Sequence, residues 1–529
     1  MSELKTYERL LAQRKITRRE FIKAASALGV AAAASPALFP SSIRAATPKK
    51  GGDLRVGMSV GSTTDSLNPG LFVHNFVISV CFLQSNCISE IDGTGKLVPE
   101  LVESWEGSRD AATWTFKVRK GVEFHNGKTV DANDFVNSIN FHRHKDSKSV
   151  VRSLLESVVE VKAEGKETFV VKLASGNADI PYILGDYHIP ILPAKGDSID
   201  WESGIGAGPF VLQSFEPGVR ALYKRNPNYW KTGRPYFDSV ELLCIINPAA
   251  RVTALMTGQV HVVDHCEVKT ADKLAEAPGI LIKEVTGNGH NTFPMLTDMA
   301  PFDNNDVRLA LKLAVDREAY LKTIYRGHGM VGNDHPIGPN NQFWAKELPQ
   351  REYDPDKAKF HLRKAGMSSL KVKLHTSEQP FAGAVDAAVL YKEHAAKAGI
   401  DIEVVREPSD GYWDSVWMKK GWCVSDWGGR PTEDWMFTQV YSEGAKWNEA
   451  HWKHERFNKL LKEARAEMDQ VKRRERYFEL QRIVRDEGGN VIPLFFNWLF
   501  AATDKLKHGT IQGNWALDGH KLYERWWFA

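Results

Sequence analysis

The sequence is poor in cysteine for its length. Only five cysteines occur among 529 residues, and an odd number cannot all pair within one chain. A chain this long buries enough surface to fold without disulfides, so buried thiols are the expected state. A bridge between Cys81 and Cys87 stays open as an alternative in an oxidising compartment. The five are Cys81, Cys87, Cys244, Cys266 and Cys423.

An excess of charge of one sign is also missing. The chain has 69 Lys and Arg against 66 Asp and Glu, a formal net charge of +3. Residues 1–46 hold eight bases and three acids, which leaves 61 bases against 63 acids, a charge of −2, in the remainder. Nucleic-acid binding needs a basic stripe. We therefore expect no nucleic-acid partner.

Sequence motifs of metal-dependent catalysis are absent as well. Neither H-E-x-x-H nor a zinc-type Cys/His spacing occurs, and the single G-x-S-x-G match, at residues 57–61, has no accompanying signature of a catalytic base. His261, His265 and Cys266 are metal-ligand residue types at close spacing, but we interpret them as surface and core residues around a short strand. We expect no enzyme activity, no metal and no cofactor.

The first 46 residues predict an export signal. Residues 17–23 fit the twin-arginine pattern, and the weakly apolar, Ala-rich residues 24–39 follow. That run is shorter than the roughly 20 apolar residues that a membrane span needs. Small residues then suit a signal peptidase, so we expect cleavage after Ala45 or Ala46. An amphipathic helix of a cytosolic protein is the alternative. The mature protein is expected to be soluble and periplasmic.

Strand and helix patterns alternate along the rest of the chain. Apolar residues at every second position predict strands, and apolar residues at spacings of three and four predict helices. This alternation indicates an α/β fold. Strands are predicted at 54–58, 113–119, 158–163, 168–173, 370–375 and 400–407, and helices at 306–326, 354–365, 385–398 and 457–487.

A series of short motifs resembles the extracellular solute-binding proteins of family 5, the oligopeptide, dipeptide and nickel group of ABC importers. Each motif is weak alone, but their shared order covers nearly the whole chain after residue 46. The motifs lie at 51–57, 67–69, 97–105, 116–127, 208–210, 225–230, 301–308 and 316–318.

The resemblance implies a fold like that of type II periplasmic binding proteins, with two main lobes, a hinge and an inserted smaller domain. The ligand would be enclosed when the lobes close. The implied partners are a small solute or peptide and the membrane permease and ATPase, and we expect a monomer. The implied division is a signal peptide at 1–46, lobe I at 47–92, 207–287 and 497–529, domain II at 93–206, and lobe III at 288–496.

The most informative site segment is a Gly-Trp-Cys-Val-Ser-Asp run that ends at Asp426. Peptide-binding members have a similar run whose carboxylate holds the peptide's α-ammonium, although here one extra residue follows Cys423. The resemblance therefore implies Asp426 as an anchor. Arg430 has a planar fork that suits a carboxylate or phosphate. Gly428 and Gly429 allow close backbone approach. Alternatively, Asp426 and Arg430 are structural and pair with each other or with a neighbouring residue.

Five tryptophans lie between Trp413 and Trp435. Aromatic rings form rigid apolar walls, and we predict that Trp422 and Trp427 line the site because they flank the polar anchors. Trp413 is a further candidate, and about half of the five are expected in the core. Three more candidates follow the Leu-Asn-Pro motif, where the first lobe of the family faces the cleft. They are Phe72, His74 and Asn75.

These observations favour a peptide or a related small charged solute as the ligand. The Gly-Gly-Arg-Pro sequence departs from the plain peptide-binding pattern. It therefore keeps open a ligand of another class, such as an opine or sugar conjugate, haem or a metal chelate. An exported hydrolase is less favoured, because the sequence displays no nucleophile–base pair.

Overall fold

The computed structural model describes residues 48–529. The predicted export signal and its cleavage site lie outside the described residues. Within the described part, no helix combines the length and the apolar character that crossing a membrane requires.

The strands are short except for two, which have 15 and 14 residues. In chain order they are β1 (Asp53–Met58), β2 (Ser89–Ile91), β3 (Leu97–Pro99), β4 (Val102–Gly107), β5 (Thr113–Val118), β6 (Val158–Ala163), β7 (Thr168–Leu173), β8 (Ala194–Lys195), β9 (Ser198–Ile199), β10 (Phe210–Glu216), β11 (Arg220–Arg225), β12 (Ser239–Cys244), β13 (Val262–Val263), β14 (Ile280–Pro294), β15 (Gly329–Val331), β16 (Leu370–Thr376), β17 (Ile400–Arg406), β18 (Ser425–Trp427), β19 (Asn490–Thr503), β20 (Leu506–Lys507) and β21 (Trp527–Phe528).

The helices concentrate in the second half of the chain. They are α1 (Asn75–Gln84), α2 (Ala132–Arg143), α3 (Ile180–Ile183), α4 (Pro248–Met256), α5 (Val268–Ala275), α6 (Asn305–Leu313), α7 (Arg317–Ile324), α8 (Pro355–Lys364), α9 (Ala384–Ala396), α10 (Tyr412–Ser415), α11 (Glu433–Met436), α12 (Glu455–Ala466), α13 (Gln470–Glu487), α14 (Ala516–Gly519) and α15 (Leu522–Arg525).

The largest sheet has nine strands and mixes parallel with antiparallel pairs. Its order is β10-β11-β12-β1-β13-β19-β14-β18, and β15 pairs with β19. Strand β1 runs parallel to β12 and β13, whereas β14 and β19 are antiparallel. A second, four-stranded sheet has the order β4-β5-β7-β6. Mixed sheets and covering helices together confirm the predicted α/β class.

Three main hydrophobic cores surround these sheets. The core of lobe I includes Val56 and Phe500. In domain II, Phe169 stacks on both Phe116 and Phe135 at ring distances of 4.9 Å. The core of lobe III forms around β14, β16, β17 and their helices, and a further cluster joins α11, α12 and α13. The domain boundaries given above stay a prediction.

Two long predicted helices are wrong in extent. Residues 306–326 form α6 and α7, and residues 457–487 form α12 and α13. Each break lies where an Asp side chain caps a new helix. Asp316 accepts from the Ala319 amide, and Asp469 accepts from the amides of Val471 and Lys472. An N-cap satisfies donors that a helix otherwise leaves free, and so starts a second helix.

Strands β14 and β19 connect lobe I with lobe III. Their antiparallel ladder runs from Ile280 opposite Thr503 to Pro294 opposite Asn490. The register shifts between Thr286 and His290. Within this bulge, a Cβ on Gly289 would lie 2.1 Å from the ring of Phe496. Because Gly289 has no side chain, the Phe496 ring can pack directly on the backbone where these strands pass between the lobes.

We expect Gly289→Ala to destabilise the protein, because the added methyl group has no room beside Phe496. Overpacking of this kind costs about 1–3 kcal/mol. Chemical denaturation followed by circular dichroism measures the loss. The control is Gly509→Ala, where a Cβ meets no atom within 4 Å; a change of about 0.5 kcal/mol or less is expected there. Equal stability of the two variants would contradict the proposed packing.

Candidate functional site

Strand β18 places the Asp426 carboxylate at the edge of the largest sheet. It pairs with β14, and Asp426 lies opposite Asn291. Side chains alternate along a strand, so Ser425 and Trp427 point to one face and Asp426 to the other. Among residues 48–529, no hydrogen bond or ion pair reaches the Asp426 side chain. The carboxylate is therefore largely buried without a polar partner in this part of the chain.

Burial raises the pKa of Asp426 to about 7, and the nearby carboxyl of Glu449 adds to the shift. Glu449 is itself buried, but it has three neutral donors. Trp417 Nε1 donates at 2.8 Å, Asn490 Nδ2 at 2.6 Å and Thr292 Oγ1 at 3.2 Å. Glu449 is thus satisfied within lobe III, whereas Asp426 lacks a partner.

The Arg430 guanidinium follows four residues after Asp426. It lies over the Trp427 ring, with 5.5 Å from Cζ to the ring centroid. Its Nη1 donates to Gly429 O at 2.6 Å, and its Nε donates to Gln439 Oε1 at 2.5 Å. Within the described residues, Arg430 forms no ion pair, neither with Asp426 nor with any other carboxylate. Burial lowers the pKa of Arg430, and its charge is not balanced by a direct ion pair there.

The two glycines of the segment differ in their surroundings. Gly429 has a φ of +79°, and a Cβ there would lie 2.6 Å from Asn288, so this turn requires glycine. A Cβ on Gly428 would meet no atom within 4 Å. Asn341 Nδ2 donates to the carbonyl of Arg430 at 3.0 Å and fixes the loop after the turn.

A row of indole rings supports Trp427. Trp413 packs edge-on against Trp417 at 5.9 Å, Trp417 contacts Trp427 at 6.2 Å, and Trp427 contacts Trp447 at 5.9 Å. Trp413 is 38% exposed, whereas Trp427 is 8% exposed. The row therefore runs from solvent to the ring that carries Arg430, and both residues stay candidates for ligand contact.

The structure places Trp422 and Phe72 in cores rather than on a surface. Trp422 contacts Tyr391 and Phe302 in lobe III, and its Nε1 donates to Phe293 O at 3.3 Å. Phe72 is buried in the core of lobe I. Both rings are enclosed by apolar side chains, so neither is available to a ligand in this conformation.

His74 and Asn75 form a separate polar group in lobe I. His74 Nε2 lies 2.9 Å from Asp65 Oδ1, and Asn75 Nδ2 donates to Asp264 Oδ2 at 3.2 Å. Burial raises the pKa of Asp264. No described hydrogen bond, ion pair or ring contact joins these residues to Asp426 or Arg430, so the structure does not bring the two predicted groups together.

A narrow crevice of about 50 Å³ lies where all three parts of the molecule meet, next to Arg430. Pro431 lines it from lobe III, Tyr182 and Tyr187 from domain II, and Trp515 from lobe I. Tyr187 packs edge-on against Trp515 at 5.9 Å. A space this small holds one or two water-sized groups, so a larger ligand requires the lobes to move apart.

A wider cavity of about 710 Å³ continues between domain II and lobe III. It shares Leu97 and Tyr182 with the crevice. Trp105 and Trp114 line it from domain II, and Gln342 lines it from lobe III. An aromatic wall with a few polar groups is typical of a ligand cavity.

The sequence did not reveal these crevice residues. Tyr182, Tyr187 and Trp515 come from distant parts of the chain, and none lies in a motif with a chemical signature. The C-terminal turn is also unusual, since Leu517 and Asp518 both have positive φ values. Consecutive positive φ values are visible only in the structure.

One cluster of carboxylates has the geometry of a metal site, but lysine occupies it. Glu90, Glu100 and Glu524 lie within 4.8 Å of one another. Lys231 Nζ lies 2.7 Å from Glu90 and 3.1 Å from each of the other two. The nearby Lys521 adds an ion pair of 2.6 Å with Glu100. The cluster is therefore a structural ion-pair network.

The cysteines and the candidate metal residues behave as ordinary structural residues. All five cysteines are free thiols. Cys81 Sγ donates to Tyr187 O at 3.1 Å, and Cys87 lies close to Asp186 O at 3.5 Å. His261 accepts from the Arg55 amide at 3.1 Å. His265 pairs with Glu267 at the surface.

The comparisons with known proteins agree on one family. The model of bacterial extracellular solute-binding proteins, family 5 Middle, matches residues 96–449, more than half of the chain. The dipeptide-binding protein of Escherichia coli K12 is 26% identical over 508 residues, which cover 84% of this chain and 93% of that protein. Heme-binding protein A of Haemophilus influenzae is 31% identical over 301 residues, 52% of this chain and 54% of that protein.

A solved structure confirms the fold. The periplasmic binding protein AgaA of A. tumefaciens R10, in complex with agropinic acid, superimposes with a TM-score of 0.71 at 23% identity. The match covers 90% of this chain and 99% of AgaA. The predicted lobed architecture of periplasmic binding proteins is therefore correct for this chain.

We expect Asp426→Asn to stabilise the protein at alkaline pH. The pKa of Asp426 is raised from 3.8 to about 7. The protonated carboxyl is therefore favoured in the folded state. The stability that its protonation provides is fully present below about pH 4 and is lost as the pH rises through 7. Removing the charge should raise the free energy of unfolding by about 1–3 kcal/mol at pH 8 and leave it unchanged at pH 4.

Urea denaturation of the variant and the unmodified protein at both pH values measures this difference. The exposed Asp410 supplies the control, since Asp410→Asn removes a charge that faces solvent. If Asp426→Asn raised the free energy of unfolding equally at pH 4 and pH 8, ionisation of the buried carboxyl would not be the cause.

Proposed function

The chain belongs to the bacterial extracellular solute-binding proteins of family 5, and on that premise we propose that it captures a peptide or a related small charged solute and delivers it to the permease of an ABC importer. The ligand is enclosed between the lobes, which move about the β14–β19 connection. The role is binding without catalysis, and the protein acts as a monomer without a nucleic-acid partner.

The unpaired charges of Asp426 and Arg430 carry this proposal. One segment presents a carboxylate with no partner and a guanidinium with no carboxylate partner within the described residues. A zwitterionic peptide complements both, since its α-ammonium pairs with Asp426 and its carboxylate with Arg430. Such bonds are strong when desolvated. The dipeptide-binding relative supports the same ligand class.

A second candidate ligand is an opine or a similar conjugate. The planar stack of Arg430 on Trp427 favours it, because a flat guanidinium suits a planar carboxylate. The complex of AgaA with agropinic acid shows that this fold accepts such a ligand in another protein. Haem, a sugar conjugate or a metal chelate remain further alternatives of the same binding role.

We also propose that residues 1–46 direct export by the twin-arginine route and are removed near Ala45 or Ala46. The mature protein then works in the periplasm. The paired arginines and the Ala-rich run of the sequence support this proposal.

We expect short peptides with free termini to stabilise the protein in a thermal-shift screen that also contains opines, sugars, haem and metal salts. A ligand at 100 times its Kd adds about 2.7 kcal/mol. For a peptide found in this way, Asp426→Asn should weaken binding about tenfold or more, since a charged hydrogen bond contributes about 1.5–3 kcal/mol. Isothermal titration measures the Kd.

The N-acetylated form of the same peptide is the matched probe, because it has no ammonium and should bind both proteins equally weakly. Affinity for the free peptide should rise between pH 5.5 and pH 7.5 as Asp426 ionises. Stabilisation by opines alone would replace the peptide proposal with the second candidate. Turnover of a bound peptide would contradict binding without catalysis.

Replacing Arg18 and Arg19 by lysine should block export. The twin-arginine pattern depends on the pair, so the double variant should stay in the cytoplasm as the full-length precursor. Cell fractionation and N-terminal sequencing of the exported protein measure the result, with Lys5→Arg as the control outside the motif. Normal export of the double-lysine variant would show that another pathway carries the protein.

A further inference from the structure

The turn between α12 and α13 of lobe III docks on domain II. It carries Met468, whose side chain packs against the hydrophobic core of domain II. The Met468 methyl group lies 3.1 Å from the point where a Cβ on Gly107 would stand, so the glycine leaves room for it. An apolar side chain of one lobe is thus inserted into the other, and its burial is favourable without any ligand.

A buried ion pair lies beside this contact. Arg473 of α13 donates through Nη2 to Asp179 Oδ1 of domain II at 2.7 Å, and the two side chains are 3% and 4% exposed. The guanidinium is held in place from lobe III. It lies over the rings of Phe343 and Tyr477 at 5.2 and 5.4 Å. The ion pair therefore forms between pre-positioned groups.

The backbone adds a third contact. The amide of Ala178 donates to the carbonyl of Arg465 across the boundary at 2.8 Å. Arg465 is fixed by Asp434, with 2.9 Å between Nε and Oδ1. A directional bond of this kind forms in only one alignment of the lobes.

Around these contacts the boundary between domain II and lobe III is open. The cavity of about 710 Å³ lies next to them, and both Met468 and Arg473 line it. Met468, Arg473 and the Ala178 amide therefore form a small group of contacts beside an open cavity. These contacts can separate together when the lobes move about β14 and β19.

We propose that Met468, Ala178, Asp179 and Arg473 form a latch that holds lobe III on domain II and contributes to closure independently of the ligand. Its contacts come from the protein alone, so the closed state is populated before a solute binds. Ligand contacts shift that population further, and delivery to the permease must open the latch. The inference extends the proposed capture between lobes but does not depend on the ligand class.

The ion pair fixes the alignment, and Met468 supplies the attraction. Opening hydrates both ions, which offsets much of their mutual attraction. Removing only one ion leaves the other buried and unpaired in the closed state, and nothing there compensates for its lost hydration. A substitution at Asp179 or Arg473 therefore disfavours closure by more free energy than the intact ion pair contributes to it.

Hydrogen exchange of the Ala178 amide tests the latch without any ligand. In the unmodified protein with no added solute, we expect this amide to be protected, because it is bonded to Arg465 only when the latch is closed. Asp179→Asn and Met468→Ser should each lower the protection at least tenfold, which corresponds to about 1.4 kcal/mol. Mass spectrometry of peptic fragments measures the exchange.

Arg476→Gln is the matched control. Arg476 lies on the same helix as Arg473, but its partner Glu467 belongs to the same lobe, at 2.7 Å. The protection of Ala178 should not change in this variant. The amide of Val171 in strand β7 reports whether domain II stays folded, since it lies within the four-stranded sheet.

Two results would overturn the latch. One is an Ala178 amide that exchanges like an unprotected amide in the unmodified protein. The other is unchanged protection in both latch variants while the Val171 amide stays protected. Loss of Val171 protection in Asp179→Asn would mark that variant as unfolded, and the Met468→Ser result then decides. Failure to find a ligand leaves all of these measurements intact.

Discussion

The antiparallel ladder of β14 and β19 is the connection on which the rest of the structure depends. It begins in lobe I, where β14 starts opposite the end of β19, and ends in the core of lobe III. Its register shift near His290 lies between the lobes. Among the strands of residues 48–529, β18 pairs only with β14, opposite residues that follow directly on this shift. The position of Asp426 relative to lobe I is therefore set at the same bulge that divides the lobes.

Local sequence patterns predicted the elements whose stability is local. Strands β6 and β7 have the predicted bounds, because alternation alone defines a half-buried hairpin. The two long helices were predicted as continuous because apolar spacing persists across Asp316 and Asp469. Hydrogen bonds of those side chains to the backbone override the spacing. The candidate segment around Asp426 was identified by its resemblance to the Gly-Trp-Cys run of peptide-binding members of the family.

Contacts between distant segments were not visible in the sequence. Trp422 looked like a lining residue beside Asp426, but the tertiary fold packs it into the core of lobe III against Tyr391. Tyr187 and Trp515 meet only because domain II and lobe I pack together. The partner of Arg473 lies 294 positions earlier in the chain. No periodicity relates such residues, so their proximity follows from the tertiary fold alone.

In the proposed site, the burial of Asp426 would favour a cationic ligand group over a neutral one. Glu449 lies beside Ser425 and Trp427 and accepts hydrogen bonds from the neutral donors Trp417, Asn490 and Thr292. Its carboxyl adds to the burial that holds the pKa of Asp426 near 7. A neutral ligand would bury Asp426 further without balancing the negative charge of its carboxylate. An ammonium group would offset the desolvation of the carboxylate, since a carboxyl paired with a cation ionises more readily. Arg430 would favour an anionic ligand group for the same reason, because it too is partly buried without a carboxylate partner in the described chain. If both residues contact the ligand as proposed, a ligand with both charges would pair with both groups, whereas a ligand with one charge would leave the other group unpaired.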